Sequence, residues 1–188
     1  MSTQATPPLR ADAARNRARL LDAARTLFQR SAADAPVSLE AIARQAGLGI
    51  GTLYRHFPTR DALVAALYRS ELDELTTSAE ALLAEYPADQ ALERWVGRYA
   101  DFVATKKGMR EALQSAWAGE GPMVGDTRVR VTAVIDRLLS AGAADGTLRT
   151  GVLADDVTST LVGVFLAAVD LDQRRRMLDL VVAGLRAR

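Results

Sequence analysis

Apolar residues recur at spacings of three and four along nearly the whole chain, and no stretch alternates apolar and polar residues convincingly with a period of two. A chain patterned in this way buries its apolar surface by packing helices against one another. Composition agrees. Aromatic residues make up only 5% of the sequence, and the abundance of Ala, Leu and Arg favours helix over strand. At 188 residues the chain has room for one large domain or two small ones. No run of 18 or more apolar residues occurs, so no membrane span is expected. Residues 1–10 are polar and Pro-containing; they read as a disordered arm with no apolar core of a signal peptide. The absence of Cys excludes disulfides and thiolate metal sites, and fits a cytoplasmic protein.

About nine helices can be placed. Leu20, Leu21, Ala24, Leu27 and Phe28 share one face of a first helix from Asp12 to Ser31, which the Pro36 region breaks. Ser38 then fits an N-cap, with Glu40 in the positive first turn and Val37 able to staple onto Ile42. This short second helix ends at Ala46-Gly47, where Gly can take the left-handed closing conformation. A third short helix runs from about Ile50 to Phe57. Pro58 stops it, and Thr59 caps a long fourth helix to about Glu85, striped by Val64, Tyr68, Leu72, Leu75, Ala79 and Leu82. Leu92, Trp95, Val96, Tyr99, Phe102 and Val103 mark a fifth, and Met109–Ala118 a sixth. Residues 119–125 read as a loop. The seventh helix, Thr127 to Ala144, is expected to bury Val131, Val134, Ile135, Leu138 and Leu139, and Asp155–Val169 and Arg174–Ala187 make the last two. Arg174-Arg175-Arg176 reads as a solvated start to the final helix.

The net charge of +1 conceals an asymmetry: residues 1–60 carry +5 and residues 61–188 carry −4. A basic head on an acidic body points to a polyanion that meets only the head. Within that head, SLEAIARQAGLGIGTLYRHF (Ser38–Phe57) has the layout of two short helices joined by a tight Gly-containing turn. Ala43 provides the small contact, Gly47 the turn, and Ile42, Ala46, Leu48 and Leu53 a shared core. The third helix is then left proud of the surface, able to enter a major groove.

GTLYRHF followed by PTRDAL resembles the DNA-binding region of TetR-family regulators, at motif strength over about residues 11–67. Beyond that stretch the likeness is one of helix number, length and layout. The resemblance implies an all-α fold: a three-helix helix-turn-helix DNA-binding domain at 11–58, then a helical bundle at 59–188 for effector binding and dimerisation. It implies a homodimer that binds double-stranded DNA at a near-palindromic operator. It also implies that Thr52, Tyr54 and His56 touch the sugar-phosphate backbone, and that Arg60, with the free amides opening the fourth helix, clamps a phosphate, a role that suits a helix N-terminus. Arg55 points off the buried face and can reach a phosphate or a guanine edge. Arg10, Arg15 and Arg17 lie where related proteins often touch flanking DNA. Many family members have Ser and a polar residue where this chain has Gly49-Ile50. Gly49 offers no capping side chain, and Ile50, ahead of Gly51, either meets a thymine methyl or packs within the small domain. The DNA-facing set is Ser38, Gly49, Ile50, Gly51, Thr52, Tyr54, Arg55, His56 and Arg60.

For the body, the resemblance implies a small hydrophobic or amphipathic effector and pairing through the last two helices. Candidate pocket residues are Leu72, Leu75, Trp95, Tyr99, Phe102, Met109, Trp117 and Met123, although the same stripe suits a plain core. Candidate dimer residues are Val157, Leu161, Val164, Phe165, Met177, Leu178, Val181 and Leu185, with Gly163 and Gly184 allowing close approach, although one of these faces can instead close the monomer core. No cofactor or metal is expected. An enzyme is not expected either: the body has no His or Cys, and the adjacent Asp155-Asp156 do not face each other. The expected function is a repressor released by a small effector; the alternative is a DNA-binding regulator that senses a partner protein or nothing.

Overall fold

The computed structural model describes residues 7–30, 37–109, 113 and 123–187, the side chains at 7–10, 107, 108 and 123–125 excepted. Among the described residues the elements are α1 (Pro7–Arg30), α2 (Leu39–Gln45), α3 (Ile50–His56), α4 (Arg60–Glu85), α5 (Ala88–Gly108), α6 (Met123–Asp145), α7 (Ala154–Ala167) and α8 (Leu171–Leu185). They contain no β-strand. One isolated antiparallel bridge joins Leu148 to Arg186.

The chain divides into two compact units. The first comprises Met1–Ser70 with Ala104–Glu120. In it α1, α2 and α3 pack together, burying Leu20, Leu21, Ala24 and Phe28 with Ile42, Ala43, Ala46, Leu53 and Phe57. Leu63, Val64, Leu67 and Tyr68 of α4 are buried as well. The start of α4 thus belongs to this unit. Residues far along the chain join it: the buried Thr105 Oγ1 accepts a hydrogen bond from Gln29 Nε2 at 3.1 Å. One residue on, the Lys106 ammonium lies 5.7 Å from the Tyr68 ring centroid, and burial holds its pKa below the usual lysine value. The expected sixth helix lies outside the described residues apart from Met109 and Leu113, both buried.

The second unit comprises Glu71–Val103 and Gly121–Arg188. Leu72, Leu75, Ala79 and Leu82 of α4 are buried, as are Leu92, Trp95, Val96, Tyr99 and Phe102 of α5. Val131, Val134, Ile135, Leu138 and Leu139 line the inner face of α6. The Trp95 indole N–H is satisfied by the Leu75 carbonyl at 3.0 Å, so its burial leaves no orphan donor. Asp145, closing α6, accepts from the Ala88 N–H that opens α5 at 3.0 Å and from the Thr147 hydroxyl at 2.6 Å. The chain ends in a clasp. Arg149 N donates to the Leu185 carbonyl and Ala187 N to that of Thr147, both at 2.9 Å. A Cβ at Gly142 would stand 2.4 Å from Leu148 Cγ, so only glycine lets this loop close on α6.

Three helix starts differ from the sequence expectation. Pro7–Arg10, expected to be disordered, open α1, because proline is tolerated in a first turn whose N–H groups lack intrahelical partners anyway. Met123–Gly125, expected in a loop, open α6, whose first turn carries Asp126. The last helix starts at Leu171, because Asp170 caps it by accepting from Gln173 N at 2.7 Å; Arg174 is therefore inside the helix, not at its solvated end.

Candidate nucleic-acid interface

The reading element is set by short-range chemistry. Ser38 Oγ accepts from Ala41 N at 3.1 Å, fixing where α2 begins. At its other end Gly47 sits at φ +64°, a left-handed conformation that L side chains rarely adopt, and Leu48 N returns to the Ala43 carbonyl at 2.9 Å. A Cβ at Gly47 would also lie 2.9 Å from the Arg19 guanidinium. Leu53 and Phe57 are 0% and 3% exposed, which anchors the inward face of α3 and turns the other face out.

On that outer face Ile50 is 37% and Tyr54 46% exposed, and Gly49, Gly51 and Arg55 are exposed too. Thr52 and His56 are half-buried beside them. Gly49 is the N-cap of α3 and makes no side-chain capping bond, so the first amides of α3 receive no side-chain cap from it. Thr59 Oγ1 accepts from Ala62 N at 3.0 Å and starts α4 immediately after Pro58. Arg60 follows as the first residue of α4, and its Nε is buried with no hydrogen-bond partner. A cation at the start of a helix is a combination whose chemistry suits an anion.

The flanking arginines of α1 divide. Arg15 pairs with Asp12 within its own helix. Arg17 lies over the Phe57 ring at 5.4 Å from its centroid and braces the end of α3, a packing role the sequence did not indicate. The side chain of Arg10 lies outside the described residues.

Elsewhere, Leu72, Leu75, Trp95, Tyr99, Phe102 and Met109, expected as pocket residues, are all buried. Trp117 lies outside the described residues, as does the Met123 side chain. Two surface clefts of the second unit are lined by other residues: about 330 Å³ beside Tyr86, Arg94 and Arg98, and about 250 Å³ beside Thr76, Arg130 and Arg137.

The residues expected at the dimer interface differ in their burial. Val157, Leu161, Val164, Leu178 and Leu185 are buried within the single chain, and Phe165, Met177 and Val181 are half-buried. The five buried side chains are enclosed by their own chain, and the three half-buried ones keep part of their surface outside. The apolar residues that α7 and α8 and their connection leave outside are Val162, Leu166, Val169, Leu171 and Leu180, with Leu166 82% and Leu180 72% exposed. Nothing lies within 4 Å of a Cβ built at Gly163 or Gly184.

The fold and this outward-facing α3 define a helix-turn-helix transcription regulator. The profile described as "Bacterial regulatory proteins, tetR family" matches residues 20–67, and "Transcriptional regulator SbtR-like, C-terminal domain" matches residues 87–187. A TetR transcriptional regulator of Streptomyces coelicolor is 42% identical, with a TM-score of 0.80 over 91% of this chain and 98% of that one. Another TetR regulatory protein, from Mycobacterium vanbaalenii, is 33% identical, with a TM-score of 0.76 over 96% and 100%. The chain is a member of the TetR family of transcriptional regulators. Among curated relatives, an HTH-type transcriptional regulator of Staphylococcus aureus (strain bovine RF122 / ET3-1) is 32% identical over 81 residues; that match spans only 43% of this chain and 43% of the relative.

Proposed function

We propose that the protein is a homodimeric repressor that holds a near-palindromic operator and is released from it by a small hydrophobic or amphipathic effector in the cytoplasm. The observation that carries the DNA reading is the outer face of α3, with Ile50, Tyr54 and Arg55 exposed above a buried Leu53–Phe57 base. In this reading Thr52, Tyr54 and His56 grip the sugar-phosphate backbone with Ser38. Ile50, flanked by Gly49 and Gly51, approaches a thymine methyl, and Arg55 reaches a phosphate or a guanine edge. Arg60 clamps a phosphate with the amides of α4. Two protomers pair through the exposed stripe of α7 and α8, so that two copies of α3 reach half-sites one helical turn or more apart.

Release requires that the effector bind two arrangements of the dimer with different affinities; a ligand indifferent to them leaves the operator occupied. A regulator without a small-molecule ligand is the second reading, favoured by the close packing of Trp95, Tyr99 and Phe102. Arg60→Ala tests the DNA reading. It should weaken binding to all sequences alike and reduce the slope of log affinity against log salt by about one unit. Unchanged affinity and slope would remove Arg60 from the interface.

A further inference from the structure

Most arginines of the second unit that meet a described partner find a carboxylate. Arg128 pairs with Asp155 at 2.6 Å, Arg130 with Asp73 at 2.7 Å and Arg137 with Glu80 at 2.5 Å, and Arg186 holds Asp89 and Glu93 at 3.1 and 2.8 Å. Arg174 differs. It is half-buried in the first turns of α8, its guanidinium carbon is 5.3 Å from the Phe165 ring centroid, and its Nε is buried with no acceptor. Two acceptors close to it along the chain serve other donors: Asp170 Oδ1 takes the Gln173 N–H at 2.7 Å, and Gln173 Oε1 takes the Val169 N–H at 2.8 Å. A buried cationic donor left unsatisfied costs stability, and an acceptor brought to it recovers that cost.

The surroundings say what kind of acceptor fits. Phe165 is half-buried and stands edge-on to Tyr99, with centroids 5.5 Å apart at 83°. Tyr99 in turn stacks on Trp95 at 5.6 Å and 5°. The guanidinium thus sits at the outer end of a row of aromatic rings, against the half-buried Phe165, with Tyr99 buried behind it. A planar fork at one end and an aromatic ring at the other match a molecule with a carboxylate head and an apolar body.

We propose that the second unit binds a small organic carboxylate, its charged end held by the Arg174 guanidinium and its apolar body laid against the half-buried Phe165 ring. This assignment rests on the effector reading above and gives that effector its chemical class. The carboxylate takes Nε–H and one Nη–H together, satisfying the donor that the unliganded chain leaves unpaired.

The test is calorimetric titration of the full chain with octanoate, phenylacetate and 4-phenylbutyrate, each beside its neutral primary amide. At least one carboxylate should bind saturably, with its amide at least tenfold weaker, a margin expected of a charge-assisted pair. Arg174→Gln should abolish that preference, Arg174→Lys should keep part of it, and Arg175→Gln, an exposed neighbour, should leave it intact. The comparison of acid with amide is made on the unaltered protein, so it stands even if a variant folds poorly. Binding by none of the three acids, equal binding of acid and amide, or an undiminished preference in Arg174→Gln would each overturn the proposal. Operator affinity measured with the same compounds separates the two readings. Carboxylates that bind through Arg174 without loosening DNA uphold this site and refute the effector reading. Neutral compounds that release DNA equally from Arg174→Gln do the reverse.

Discussion

Two residues of the head carry opposite kinds of information. Gly47 is fixed by backbone geometry: at φ +64° it admits no side chain without strain, and a Cβ there would also displace the Arg19 guanidinium. Gly47→Ala should lower unfolding stability by about 1–2 kcal/mol in denaturant titration, the cost of forcing an L side chain into this region. Ile50 is fixed by nothing the fold requires. It is 37% exposed at the tip of α3, so Ile50→Ala should move stability by less than about 0.5 kcal/mol while changing the base favoured at one position of the bound site. A loss of stability with an unaltered site would mean that it serves packing. The sequence made Gly47 readable because a tight turn leaves few choices. It left Ile50 open because an apolar side chain at a helix tip suits a methyl group or a protein neighbour equally well.

At the level of elements, legibility followed the number of apolar faces. The α4 stripe Val64, Tyr68, Leu72, Leu75, Ala79 and Leu82 is buried throughout, as its spacing required. α7 carries two stripes at the same spacing, Val157-Leu161-Val164 and Val162-Leu166-Val169, the second running just past its end, and periodicity cannot say which turns inward. Packing decides it, and the first stripe lies inside. The helix joints follow local chemistry that sequence shows only in part. Asp145 illustrates this, because one of its donors, Ala88 N, lies 57 residues away. The Thr147 hydroxyl, then the Ala88 amide, hold the Asp145 carboxyl below its ordinary pKa. A carboxyl whose folded pKa is depressed adds stability that is present above its unfolded pKa and is lost as pH falls through the folded one. Melting curves from about pH 6 to about pH 3 should therefore show a steeper acid loss for the natural chain than for Asp145→Asn. Equal slopes would mean that the Asp145 charge contributes nothing to folding.

For the whole molecule, the two faces of α7 offer a contrast between folding and assembly. Leu161, 0% exposed, belongs to the core, and Leu161→Ala should cost about 2–5 kcal/mol of stability. Leu166, 82% exposed, belongs to the surface proposed for pairing, and Leu166→Glu should yield a folded monomer by light scattering, with weaker operator binding. A dimer that survives Leu166→Glu would move the pairing surface elsewhere. The sequence had already set a basic head apart from an acidic body, because charge and the SLEAIARQAGLGIGTLYRHF pattern are local properties. The compact units part after Ser70 and return residues 104–120 to the first, because membership of a core is decided by partners distant in sequence. The most direct measurement is selection of bound DNA from a random duplex library by the purified full chain, followed by sequencing. An enriched near-palindrome with two half-sites about one helical turn or more apart is expected. No enrichment, or a single asymmetric element bound by one protomer, would contradict a dimer that reads DNA through α3.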